Sequence, residues 1–358
     1  MKKTLANLLK ILVFFGVGFG ILYLVYQNQD AAWQEQCALD GVPAEDCSLI
    51  GKILSDFRSA NYFWLLMVLL VFVISNVSRT IRWHMLVRPL GYRPKSWNGF
   101  FTIMLGYFAN LGFPRIGEVI RAGTFARYEG IAVEKVMGTV VVDRIADVLS
   151  MLLVMGLAFA LQFGQVMQFV QSFDKDDGGG SSGLGFWLLV LAGAGLVGLG
   201  VLFIFRRRLE GLALYRRVVE VLRGFGQGIQ TIRKLDRPWL FLFHSVNIWL
   251  MYYLMTFLGF LSFEPTADLG PMAALLIFVV GALGIVIPSP GGMGTYHLLV
   301  TTALVLFYAV PEADAFSFAN ILFFSVQIGC NILLGLVALV VLPLINRHYH
   351  PQPAVEGL

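Results

Sequence analysis

Six apolar runs, Leu8–Tyr26, Tyr62–Ile81, Val136–Phe163, Gly185–Phe205, Trp239–Leu261 and Phe316–Leu342, are each long enough as helices to cross a hydrocarbon core about 30 Å thick. A chain built this way must bury its backbone polar groups in helices, because lipid offers them no partner. The expected fold is therefore an all-α polytopic membrane protein. Only 13% of the 358 residues are charged, where a soluble domain has about 25%. That deficit excludes a soluble enzyme, a disordered chain and a small disulfide scaffold. A net charge of +4 carries no nucleic-acid partner when the surface is this apolar.

The basic residues set the orientation. The segments 27–61, 164–184, 262–270 and 311–315 hold 3 of the 26 lysines and arginines, and the segments on the opposite side hold 22. By the positive-inside rule both termini are expected in the cytoplasm of a bacterial inner membrane. The first run follows Lys2 and Lys3 as a signal peptide would, yet polar Gln27-Asn28-Gln29-Asp30 follows it instead of a small-residue cleavage site. A retained anchor is expected there.

Two more apolar stretches, Trp97–Phe113 and Pro271–Val310, are broken by proline and glycine. Basic residues flank 97–135 at both ends and acids flank 271–310 at both ends, so each must leave the membrane on the side it entered. The first reads as re-entrant, since Arg121, Arg127 and Glu129 on its return limb would not tolerate lipid. The second has two cleaner limbs and reads either as re-entrant or as two full spans.

The chain then divides into an anchor with an external acidic loop (1–61), a first transmembrane half (62–205, hairpin 97–135), a basic connector (206–238) and a second half (239–358, hairpin 271–310). The two hairpins open in opposite senses, which is the pattern of an inverted repeat. Matched breaks in inverted halves point to a transport site. The connector, with nine basic residues in Arg206–Arg237, reads as a surface segment held by anionic lipid headgroups, or as a rim that captures an anionic substrate.

Charges within the membrane are costly and mark candidate sites. Asp143 and Asp147 share one helix face, with Arg144 about 100° away. They serve either as a lock to Arg79 or Arg82 or as part of a substrate path. Pro114 and Gly117 break the first hairpin, and Glu118 and Arg121 follow at a helix start, where free N–H groups attract anions. Arg121 with Arg115 could hold a phosphate, or Glu118 could simply neutralise Arg121. In the second hairpin Pro288, Pro290, Gly291, Gly292 and Gly294 form the break, and His297 is either a packing residue or a proton-responsive one. Cys37 and Cys47 lie in the external loop and are expected to form a structural disulfide. Metal, nucleotide and nucleophile motifs are missing, so neither a cofactor nor an enzymatic reaction is expected.

Arg79-x-x-Arg82-Trp83, Gly106 through Asn110, Pro114-x-x-Gly117-Glu118-x-x-Arg121, Asp143-Arg144-x-x-Asp147 and Pro288-x-Pro290-Gly291-Gly292-x-Gly294 occur in this order. The set resembles the lysylphosphatidylglycerol synthase transmembrane family, also called the flippase-like domain family, from the second span onward. The resemblance implies a protein that moves lipids, or lipid-linked precursors, between leaflets. The soluble aminoacyl-transferring domain of some relatives has no counterpart here, so synthesis of an aminoacylated lipid is not expected. Relatives often carry an acid after the glycine string, where this chain has Thr295-Tyr296-His297. The expectation is a lipid translocase whose two hairpins line a cavity. Arg82, Arg115 and Arg121 would bind a headgroup phosphate, and Glu118, Asp143, Arg144 and Asp147 would gate it. The alternatives are a membrane scaffold or accessory subunit, and an intramembrane enzyme acting on a lipid phosphate.

Overall fold

The computed structural model describes residues 47–112, 116–165, 235–287, 292–349 and 351, with individual residues between 23 and 38. All regular structure among them is helical: α1 (Leu49–Ser59), α2 (Tyr62–Val87), α3 (Ser96–Gly112), α4 (Gly117–Glu129), α5 (Val133–Leu161), α6 (Pro238–Ser262), α7 (Pro271–Val286), α8 (Thr295–Tyr308), α9 (Glu312–Phe323) and α10 (Asn331–Ile345). A π-helical stretch, Phe324–Cys330, joins α9 to α10. The chain groups into one unit of Met1–Met151 with Trp239–Leu358 and a second of Leu152–Pro238. Nearly all of the run Leu8–Tyr26, the whole run Gly185–Phe205 and most of the connector 206–237 lie outside the described residues.

Among the described residues four helical stretches are long and apolar enough to cross a membrane: Tyr62–Leu90, Val133–Leu161, Pro238–Ser262 and Glu312–Ile345. They coincide with four of the apolar runs, and the chain is a multi-pass helical membrane protein. The hairpin limbs are shorter. Helices α3 and α4 have 17 and 13 residues, and α7 and α8 have 16 and 14. At 1.5 Å per residue these limbs are about 20–26 Å long, short of the core thickness.

Helix α2 shows how the sequence chooses its surroundings. Asn61 caps it by accepting from the Phe63 N–H at 3.1 Å. Leu66, Leu70, Ile74, Val77 and Ile81 recur at three- and four-residue spacing and are exposed. The opposite face carries Ser75, Asn76, Ser78, Arg79 and Arg82, all buried. This is a soluble helix turned inside out, with its apolar stripe left for lipid and its polar stripe satisfied by neighbouring helices.

The two hairpins open at opposite ends of the Glu312–Ile345 stretch. The mouth of the first is tied to the far end of α10, where Asn98 and Asn346 exchange side-chain amide bonds at 2.9 and 2.6 Å. The second returns through Ala309 and Val310 directly into α9. Close backbone approach holds each hairpin together. A methyl group at Gly117 would collide with the Gly106 carbonyl oxygen and the Asn110 side chain, and that same Asn110 accepts the Gly117 N–H at 2.8 Å. In the second hairpin Gly292 and Gly294 both take φ +84°, a region that side chains with a Cβ rarely enter.

Candidate functional site

Three helices bring a set of charges together in apolar surroundings, and a fourth supplies neutral partners. Helix α2 contributes Arg79 and Arg82, one turn apart on its polar stripe. Helix α5 contributes Asp143, Arg144 and Asp147, and α4 contributes Glu118 and Arg121. Helix α6 adds neutral partners, Ser245 and Tyr252.

The pairing is specific. Arg82 donates to Asp143 Oδ1 through Nε at 3.0 Å and Nη2 at 2.7 Å, and Nη2 also reaches Asp147 Oδ1 at 2.6 Å. Arg79 donates to Asp147 Oδ2 at 2.6 Å and to the Tyr252 hydroxyl at 3.0 Å. Arg121 meets the other oxygen of Asp143 at 3.2 Å and lies 3.8 Å over the Trp83 ring. Trp83 is itself fixed, donating to Thr139 at 2.9 Å and packing on Phe125 with centroids 4.4 Å apart. Arg82, Asp143 and Trp83 have no exposed surface. The hydrogen bonds offset the cost of withdrawing these ions from water, as a buried network requires.

Glu118 pairs with Arg144, whose Nε lies 2.8 Å from Oε1, while Arg121 pairs with Asp143. Both ions of the Glu118–Arg144 pair are more than a third exposed. Arg144 also reaches Asp147 at 3.4 Å through Nη1, three residues along its own helix.

The network forms one end of a cavity of about 390 Å³. Arg79, Arg144 and Asp147, joined through the Asp147 carboxylate, form its charged end, with the Tyr252 hydroxyl bonded to Arg79. The rest of the wall is mainly apolar, including Phe72, Met255, Ile277, Phe278, Leu322 and Phe323, with Tyr107, Thr256, Gln327 and Asn331 as further polar groups. Tyr107 comes from the first hairpin, and Ile285, Val286 and Tyr296 come from either side of the break in the second. Volume and lining suit part of an amphiphile, with polar groups at one end and hydrocarbon contacts along the other.

Of the residues singled out in the sequence, Arg82, Glu118, Arg121, Asp143, Arg144 and Asp147 meet in this network. Gly117 lies beneath it as a packing position against α3. Gly292 and Gly294 shape the start of α8, and His297 is buried among Tyr296, Phe316 and Phe323, with its Nδ1 accepting the Gly294 N–H at 3.4 Å. Those three neither join the network nor line the cavity. Pro114, Arg115, Pro288, Pro290 and Gly291 lie outside the described residues. Cys37 and Cys47 are joined by a disulfide with Cα atoms 6.2 Å apart. Among the described residues no group of histidines, cysteines and acids could hold a metal ion.

Sequence reasoning missed the cavity-facing roles of Arg79, Trp249, Tyr252 and Asn331. Arg79 carried a signal, being a charge inside an apolar run and one turn from Arg82. Trp249 and Tyr252 carried none, because aromatic residues in an apolar helix look the same whether they face lipid or a cavity.

No curated protein and no solved structure matches the chain. A family model does, that of the lysylphosphatidylglycerol synthase TM region, over residues 48–345. The matched segment takes in both hairpins, all four long apolar stretches and every charged residue of the network, and the chain belongs to that family.

Proposed function

We propose that the protein is a translocase that moves a phospholipid or polyprenyl-linked lipid between the leaflets of a bacterial inner membrane. The observation that carries this reading is the cavity, in which a charged end built on Arg79, Arg144 and Asp147 continues into an apolar wall. A headgroup needs the first and a hydrocarbon chain the second. The short limbs of both hairpins support reading them as re-entrant pairs, entering from opposite faces in an inverted arrangement. Lysine and arginine placement supports both termini in the cytoplasm. Membership of a lipid-related family points the same way.

Purified full-length protein in liposomes containing a fluorescent phospholipid tests the reading. Wild type should expose inner-leaflet label to an external quencher faster than protein-free vesicles. Ala282→Phe, which places a ring in the cavity, should remove most of that gain while the protein stays folded. Equal rates for wild type and empty vesicles, across phospholipid and polyprenyl-phosphate probes, would overturn the proposal.

A further inference from the structure

The Glu118–Arg144 pair differs in kind from the rest of the network. Arg82 and Asp143 are fully buried and joined by aligned hydrogen bonds. Glu118 and Arg144 are 38% and 37% exposed, and although Oε1 lies 2.8 Å from Nε, the Nε–H of Arg144 has no hydrogen-bond acceptor. The charges touch without alignment, and such a contact is weak and easily exchanged. The other carboxylate near Arg144, Asp147, is already gripped by Arg79 at 2.6 Å and Arg82 at 2.6 Å.

The charge count is also uneven. Among the described residues the network holds four guanidinium groups (Arg79, Arg82, Arg121, Arg144) and three carboxylates (Glu118, Asp143, Asp147). One positive charge is left over in apolar surroundings, where an uncompensated ion is costly. Arg144 lines the cavity, as do Arg79 and Trp249, whose Nε and Nε1 hydrogens are buried and without a partner. Tyr252 accepts from Arg79, which leaves its own O–H to donate.

We propose that the cavity selects a lipid whose headgroup carries a net negative charge, and that this headgroup takes Arg144 from Glu118. The inference rests on reading the cavity as a lipid site. An anionic phosphodiester balances the surplus charge and gives Arg144 an aligned acceptor, whereas a zwitterionic headgroup brings its own cation and leaves the surplus in place. Because Glu118 sits on α4 and Arg144 on α5, the exchange also removes one of the two ion pairs between these helices and leaves the buried Arg121–Asp143 pair as the other. Loading the cavity and loosening that limb become one event.

The sign of one substitution separates this from a simple binding role. Glu118→Gln removes the competing carboxylate, so it should tighten binding of phosphatidylglycerol by about fivefold, the scale of a half-exposed ion pair. If Glu118 instead helped to hold the lipid, the same change would weaken binding. Native mass spectrometry of the full chain, titrated with phosphatidylglycerol or phosphatidylcholine, reads this directly. Wild type should prefer phosphatidylglycerol, Glu118→Gln should strengthen that preference and Arg144→Gln should abolish it. If Arg144→Gln does not fold, the sign of the Glu118→Gln effect decides alone. Equal or weaker phosphatidylglycerol binding by Glu118→Gln, or no lipid preference in wild type, overturns the proposal. Millimolar inorganic phosphate should not displace the lipid; displacement would assign the site to a free anion and overturn it too. Transport of phosphatidylcholine at a rate untouched by Glu118→Gln would sink the exchange while leaving the translocase standing. The affinity pattern without transport of any lipid would do the reverse.

Discussion

Arg82 places two of its N–H groups on a single oxygen of Asp143, and both side chains are fully buried. Removing Arg82 takes away the best-aligned partner of a buried carboxylate and leaves Asp143 with Arg121 at 3.2 Å and Arg79 at 3.7 Å. Arg82→Ala should therefore cost about 3–5 kcal/mol, the usual penalty for breaking a buried pair. Thermal unfolding in detergent should show the loss. Arg82→Met combined with Asp143→Leu should be less damaged than Arg82→Ala alone; a double variant that is the worse of the two would show that the pair contributes more than charge balance.

Gly117 and Gly123 lie on the same helix and should respond in opposite ways to alanine. A Cβ at Gly117 would strike the Gly106 carbonyl, while a Cβ at Gly123 meets nothing within 4 Å. Gly117→Ala should push α4 from α3 and lower the melting temperature. Gly123→Ala should be neutral or add up to about 1 kcal/mol through helix propensity. Equal effects would mean the close approach at Gly117 has no energetic weight.

Lys52 ties α1 to the start of α9, donating to Asp314 at 2.6 Å and to Asp56 at 2.8 Å. Burial opposes the charge on the lysine, but the two carboxylates outweigh it and hold the ammonium above its ordinary value of 10.5. A raised folded-state value means that the stabilisation is fully present below the ordinary lysine range and is lost as the pH climbs through the folded one. Lys52→Met should cost about 1 kcal/mol at neutral pH. The gap between variant and wild type should close in strongly alkaline buffer, as melting curves across pH would show.

The Cys37–Cys47 bridge makes a simple additivity test. Cys37→Ser, Cys47→Ser and the double variant should lose the same stability, about 2–3 kcal/mol for a short loop, because each removes one cross-link. A membrane-impermeant maleimide should label Cys37 in the Cys47→Ser variant in intact cells if this loop faces outside. Labelling only after lysis would reverse the orientation read from the lysines and arginines.

Much of the helix layout was legible because crossing a membrane is a transfer property that a run of residues has on its own. The runs 62–81, 136–163, 239–261 and 316–342 need no tertiary knowledge, and the helices fall where they do. The end of α3 at Gly112 and the start of α4 at Gly117 were equally legible, because proline and glycine there are a local backbone signal. Pairing within the site was not. Whether Glu118 meets Arg121 or Arg144 depends on how α4 is rotated against α5, and the sequence holds no local record of that angle. The face of α6 that carries Trp249 and Tyr252 was hidden for a related reason, since hydropathy does not tell a lipid-facing ring from one beside a cavity.

The π-helical stretch Phe324–Cys330 carries a consequence of its own. A wider turn holds more residues than an α turn, so the helix stores slack at this level. Gln327 within it and Asn331 just after it both border the cavity. Rewinding the same residues as α-helix, with none removed, would swing everything downstream by about 100°, carrying the Asn331 amide away and the Gly335–Phe108 contact with it. One surplus residue thus sets the azimuth of the whole final helix.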